Sequence, residues 1–295
     1  VKIGNKKRAV DNRPKKAPLC KGGWQKSLIF DWGIVTHRYI TIPPSALRAA
    51  TSLYTREAYG GNLMEHKRLT LFAGHYGSGK TNIAVNYALH LAGEGKKVCI
   101  ADLDIVNPYF RTKDSAQVLE AAGVHLISPQ FANSNVDLPA LPAEAYRLVT
   151  DRSIFGIMDI GGDDRGAYAL GRFVPSILEE GNYRMIFVAN SYRPLTRTPQ
   201  EALEVMREIE SACGLAFTCI VNNSNLGPET TPETVLESKA YIEKLCQLSG
   251  LPLFATTAEE TVAEKLELPN VISLRLQEKY FDLPSQKPGN RPLWA

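Results

Sequence analysis

The chain has 295 residues, 44% of them hydrophobic and 22% charged, the balance of an ordinary globular protein with one large α/β domain or two small ones. No apolar run reaches the length of about 18 residues that a membrane span requires, and the N-terminus lacks the layout of a secretory signal. Five cysteines (Cys20, Cys99, Cys213, Cys219, Cys246) form no CxC or CxxC pair, which argues against a cysteine-ligated metal or iron–sulfur site and for reduced thiols in the cytoplasm.

The net charge of +3 is divided unevenly: residues 1–63 hold 12 Lys/Arg against 3 Asp/Glu, a balance of +9, while residues 64–295 carry −6. The basic character belongs to the leader and says nothing for nucleic-acid binding by the main domain. Residues 1–63 show neither helical nor strand periodicity. A basic arm for nucleic acid or an acidic membrane is one reading and a transit peptide another. The favoured reading is a non-native leader with the true start at Met64, which lies four residues before the first strand. The codons of Gly60-Gly61 can read as a ribosome-binding sequence, and "KAPLCKGGW" resembles mistranslated bacterial non-coding repeats. Residues 1–63 are accordingly expected to be poorly ordered, with the domain proper over 64–282 and an irregular, Pro-rich tail at 283–295.

From Met64 onward the pattern predicts alternating strands and helices. "RLTLFAG" (68–74) reads as a strand and "KTNIAVNYALHLAGEG" (80–95) as a helix stopped by glycine. Next come a strand at 96–104, a short helix over "SAQVLEAAG" and a strand at 124–128. A helix near 142–151 leads to the strand "SIFGIMDIGG" (153–162). A helix around 166–180, a strand at 183–191, a helix at 199–213 and a strand at 216–224 follow. A helix at 232–249, a strand at 251–257 and a last helix near 258–267 close the series. Near-continuous apolar strands alternating with amphipathic helices predict an α/β three-layer sandwich with a mostly parallel sheet. Ligands in such folds sit at the C-terminal ends of the strands.

"GHYGSGKTN", Gly74 to Asn82, carries the chemistry. It matches G-x-x-x-x-G-K-[ST] and lies between a strand and a helix, as that phosphate-binding loop requires. Gly77 and Gly79 let backbone N–H groups turn inward around phosphate oxygens, with Ser78 between them, and the helix adds the positive end of its dipole. Lys80 is suited to reach the β- and γ-phosphates, and the Thr81 hydroxyl to ligate Mg²⁺. Two acidic strand ends support this. "IFGIMDIGG" offers Asp159 for the metal's water shell and, three residues on, Gly162 to sense a γ-phosphate. "CIADLD" offers Asp102 and Asp104, one to hold the magnesium waters and the other to orient or deprotonate the attacking water. Asp163 and Asp164 either hold a second metal or cap the next helix.

The order of phosphate loop, "ADLDIVNPYFR" and "DIGGDD" resembles the MinD/ParA/CobQ-type (SIMIBI class) branch of P-loop nucleotide-binding proteins, over roughly residues 67–258. The resemblance implies the P-loop NTPase fold with its two motif strands adjacent, ATP as ligand and Asp104 as the water-positioning residue. It also implies an adenine-contacting asparagine, Asn222 first and Asn223 second, in "CIVNNS". No N-K-x-D guanine signature stands there, and "LFATT" (253–257) is similar to the loop that closes over the base. Many relatives carry a lysine that crosses a dimer interface where this chain has His75. A mostly neutral imidazole cannot replace it, which puts activation in a nucleotide-dependent homodimer in doubt. Arg193, Arg197 and Arg111 are candidate substitutes, though a solvated or salt-bridged arginine is the favoured reading of each.

Three functions fit: a slowly hydrolysing switch ATPase that docks an unidentified protein partner, an ATP-dependent synthetase acting on a small carboxylate, or a non-hydrolysing scaffold that binds ATP/ADP. The first is favoured. The acidic "TAEETVAEKLEL" argues against membrane targeting by a basic helix, and the acidic main domain argues against nucleic-acid binding.

Overall fold

Apolar runs become strands buried on both faces. In β1 (Leu69–Ala73) and β2 (Val98–Leu103) every residue is buried. The computed structural model describes residues 65–103, 115–128, 143–162 and 164–276, with the backbone alone at Asp164 and Arg165. The leader, Met64 and the tail lie outside these residues. The remaining strands are β3 (His125–Ile127), β4 (Phe155–Ile160), β5 (Tyr183–Ala189), β6 (Cys219–Asn222), β7 (Leu253–Glu259) and β8 (Val271–Leu274). They form one sheet in the order β3-β2-β4-β1-β5-β6-β7-β8, and every described pairing is parallel.

Helices cover both faces, giving the three-layer P-loop NTPase fold expected from the sequence. On one face α1 (Lys80–Gly93) and α2 (Ala116–Ala121) bury Ile83, Ala88, Leu91 and Leu119 against Phe72, Ile100 and Ile157. On the other, α3 (Arg147–Thr150), α4 (Asp164–Gly171), α5 (Val174–Glu180), α6 (Pro199–Cys213) and α8 (Lys239–Ser249) pack around Leu71, Met158 and Phe187. A smaller cluster joins α7 (Pro232–Glu237) to α9 (Glu260–Ala263) through Val235 and Val262. Among the described residues no helix is long and apolar enough to cross a membrane. Cys99 and Cys219 are buried thiols, as expected, and burial pushes each up to about 12.

Helix α6 matches its expected bounds because its ends are written locally. Thr198 and Glu201 close a capping box, Pro199 opens the helix and Gly214 stops it in the left-handed conformation. Two expected helices are each divided in two. The 166–180 segment turns at Phe173, with Pro175 in the first turn of α5. The 232–249 segment breaks at Ser238, whose hydroxyl donates to the Val235 carbonyl at 2.7 Å and accepts from Asn222 Nδ2 at 2.9 Å. Such a side chain competes with the backbone ladder. The segment near 142–151 begins as a 3₁₀ turn before α3, and the last helix is short because β7 extends to Glu259. Strand β8 was not foreseen from the sequence, since its four residues are a strand only by pairing with β7.

The strand order places the site. The chain leaves β1 toward β2 on one side of the sheet and leaves β5 toward β6 on the other, although β1 and β5 are neighbours. Connections that part in opposite directions open a crevice at the C-terminal ends of those two strands. At the other end of the sheet a buried ion pair locks β1 in place. Arg68 pairs through two guanidinium nitrogens with Glu180, both side chains over nine-tenths buried. It also donates to the carbonyls of Leu148, Asp151 and Ile154 at 2.9, 3.3 and 3.2 Å. Removing one partner strands the other charge, so Arg68→Ala should cost about 3–5 kcal/mol of stability. Urea unfolding checks this, and a loss below about 1 kcal/mol would show that the pair behaves like a surface bridge.

Candidate phosphate-binding site

The loop between β1 and α1 is built to keep its amides turned inward. Gly79 has φ 92, and a Cβ there would lie 2.1 Å from Asn223 Nδ2, so neither the backbone conformation nor the space admits another residue. The Ser78 amide donates to the His75 carbonyl at 3.1 Å and closes the turn. Lys80 opens α1, is 5% exposed, and folds its ammonium back to the His75 carbonyl at 3.3 Å. No acidic side chain occupies the first turn of α1, so nothing there offsets the positive end of the helix dipole. Ser78 Oγ is buried and finds no partner among the described residues. Thr81 is buried directly after Lys80, and the Asn82 carbonyl accepts from Asn86 Nδ2 at 2.8 Å.

Asp102 and Asp159 stand abreast. They are register partners on adjacent parallel strands, 3% and 1% exposed. Each follows by two residues a side chain (Ile100, Ile157) that packs under α1, and strand periodicity therefore turns both carboxylates to the α1 face. Asp159 is also the register partner of Phe72 on β1, one residue before the strand ends. Two carboxylates side by side in a buried setting repel and favour a cation. Their oxygens, like the Thr81 hydroxyl, are donors of the kind that suits Mg²⁺. Gly162 comes to the loop from β4: a Cβ added to it would lie 2.6 Å from the Tyr76 amide nitrogen and 3.0 Å from the Gly74 carbonyl oxygen. Asp104, Arg111 and Asp163 lie outside the described residues.

Asn222 and Asn223, expected from the resemblance to meet adenine, have their side chains engaged within the protein. Asn222 donates to Ser238 Oγ and accepts from Ser224 Oγ at 2.8 Å. Asn223 donates to the Ser78 carbonyl at 2.6 Å and accepts from Thr257 Oγ1 at 2.7 Å. It thereby ties the phosphate loop to the ends of β6 and β7. Nothing in the sequence signals this tether, because 145 positions separate Asn223 from Ser78.

Of the described arginine candidates, Arg193 lies at the loop and Arg197 points outward. A Cβ built on Gly77 would be 3.5 Å from Arg193 Nε, which is buried and without a partner among the described residues. Arg197 is exposed. His75 is half-buried, and desolvation, then Lys80 and then Arg193, hold its imidazole below the usual 6.5. It is therefore neutral at pH 7, and the cationic side chains at this loop are Lys80 and Arg193.

No family model matches this sequence, and no curated protein matches it. Among solved structures, the chain is similar to the signal recognition particle receptor FtsY from Elizabethkingia anophelis, at 18% identity and a TM-score of 0.42, over 74% of this chain and 67% of that one. It is also similar to the cell division protein FtsY from Thermotoga maritima, at 15% identity and 0.44, over 70% and 68%. A third likeness is to the signal recognition particle 54 kDa protein from Aeropyrum pernix, in complex with GDP, at 15% identity and 0.42, over 75% and 49%. These likenesses are distant, and the functional reading rests on this chain's own residues.

Replacing Asn223 by Ala leaves the Ser78 carbonyl and the Thr257 hydroxyl without their described side-chain partner. The expected cost is about 1–3 kcal/mol, with faster hydrogen exchange at the loop amides. An Asn223→Ala variant with unchanged stability and unchanged exchange at residues 75–79 would show that the tether holds nothing.

Proposed function

We propose that this protein binds MgATP and acts as a nucleotide-dependent switch of the MinD/ParA/CobQ type with slow hydrolysis. One observation carries the reading. The glycine loop with Lys80 follows β1, Gly162 abuts that loop, and Asp102 and Asp159 are buried register partners near the C-terminal ends of the neighbouring strands β2 and β4.

Lys80 and the N-terminal amides of α1 neutralise phosphate charge in a site with little water, where such contacts are strong. Thr81, Asp102 and Asp159 are the described residues that would hold Mg²⁺, with Asp104 as a further candidate on the strand end that follows Leu103. A bound ion would supply positive charge to offset that of the phosphates. Gly162 abuts the Tyr76 amide, and in this reading that amide receives the γ-phosphate. A triphosphate therefore has to move the 161–162 segment, a diphosphate does not, and that difference is the switch. Arg193 lies over Gly77 and is placed to stabilise charge on a transferring phosphoryl group, so lysine-crossed dimer activation through residue 75 is not part of this reading. ATP is preferred over GTP because the chain at the end of β6 reads Asn222, Asn223, Ser224, Asn225. The aspartate that would accept from guanine's two Watson–Crick donors is replaced by an amide.

The test is calorimetric titration of the full chain with ATP and with GTP in the presence of Mg²⁺, followed by turnover with and without cell metabolites and candidate protein partners. ATP should bind, and Lys80→Ala should weaken it about a hundredfold, the loss of one buried charge-assisted contact of roughly 3 kcal/mol. Turnover should rise with a protein partner. Equal ATP affinity for Lys80→Ala would refute the site, and tighter GTP binding would refute the base assignment. Consumption of a small acid would mark a synthetase instead of a switch.

A further inference from the structure

Three ligand atoms converge at the end of α1 opposite the phosphate loop. His66 precedes β1, while His90 and Glu94 are one helical turn apart at the C-terminus of α1. His66 Nε2 lies 3.1 Å from one Glu94 carboxylate oxygen and 3.3 Å from the other. His90 Nε2 lies 3.3 Å from Glu94 Oε1. One ligand atom from each residue lies within 4.8 Å of those from the other two. A tetrahedral ion with bonds of about 2.0–2.1 Å needs its ligands about 3.3 Å apart. Both imidazole–carboxylate spacings already meet that, and only the two imidazoles need to close.

The surroundings favour an ion. His66 Nδ1 lies 3.2 Å from Tyr87 Oη, and Tyr87 is held by an edge contact with core Phe72. In the tautomer that donates Nδ1–H to this phenol, the Nε2 lone pair faces the cluster, the outer-shell arrangement typical of metal-ligating histidines. Neighbouring Lys67 pairs with Glu65 at 3.4 Å and leaves Glu94 to the imidazoles. The side chains of His66, Glu94 and His90 are 27%, 37% and 60% exposed, so an ion can enter without unfolding and a fourth position faces water.

We infer that His66, His90 and Glu94 form a binding site for a first-row divalent transition metal, zinc foremost. Two imidazoles and one carboxylate exclude Mg²⁺ and Ca²⁺ as preferred occupants. The site is separate from the acidic one: α1 is 14 residues long, about 21 Å. A bound ion clamps the chain entering β1 to the helix whose other end carries Lys80.

Untagged full-length chain is titrated with Zn²⁺ by calorimetry, and with Co²⁺ while visible absorption is followed. One ion should bind, with the intense visible bands of four- or five-coordinate cobalt, and should raise the melting temperature. His66→Ala, His90→Ala and Glu94→Gln should each weaken binding about tenfold or more, at least the effect of losing an outer-shell partner. Lys80→Ala should leave zinc affinity unchanged. Melting of the metal-free variants reports whether each still folds. The inference is overturned if the triple variant, still folded, binds Zn²⁺ as the wild type does, or if Co²⁺ shows only the weak spectrum of its hydrate. Either result would leave the cluster as a pair of surface hydrogen bonds to Glu94, worth little on their own.

Discussion

The site depends on a loop that must hold its amides away from one another and toward a ligand. A helix start can do this because its first N–H groups have no intrahelical partner, but a loop left to itself would turn and pair them. Here the Ser78 amide does pair with the His75 carbonyl, and three further contacts hold the rest of the loop. Asn223 grips the Ser78 carbonyl from β6, Lys80 folds over the His75 carbonyl, and Gly162 abuts the Tyr76 amide. The strand order brings the distant ones to the C-terminal end of β1. The fold thus adds contacts from Asn223 and Gly162 to the loop's own turn.

Charge is distributed to match. Lys80 and Arg193 lie at the cradle, and the imidazole between them is kept neutral by burial and by their fields. Asp102 and Asp159 sit abreast on the face toward α1. His75 fits this arrangement as a spacer that adds no further charge beside Lys80 and Arg193.

What the sequence made legible follows from how local each signal is. The phosphate loop, β1 and α1 could be read because glycine spacing and apolar runs are written within a few residues of where they act, and α6 could be read to the residue from Thr198, Pro199, Glu201 and Gly214. Adjacency of the strands bearing the loop and Asp159 followed from the resemblance and is what the sheet has. The breaks at Phe173 and Ser238 were hidden because helical periodicity continues through them, and only the tertiary partners of Ser238 reveal why the ladder is interrupted. Strand β8 was hidden because its strand character comes from β7. Asn222 and Asn223 were read from a motif as base contacts. Their side-chain partners could not be read, since Ser78, Thr257 and Ser238 lie far away in sequence. The cluster of His66, His90 and Glu94 was missed for the same reason: its i,i+4 half is visible in α1, and its third member joins only when β1 lies beside that helix.

The two ends of α1 therefore present different chemistries on one rigid element: an anion cradle at its N-terminus and a nitrogen-rich cluster at its C-terminus. The central claim is that carboxylates beneath the cradle manage the magnesium of a bound nucleotide. Its most direct measurement compares ATP affinity with Mg²⁺ and with chelator, in the wild type and in Asp159→Asn. The account predicts that Mg²⁺ tightens binding about tenfold or more in the wild type, a coupling in the usual range of 1–3 kcal/mol, and that Asp159→Asn abolishes this dependence. Equal magnesium dependence in both proteins would contradict it.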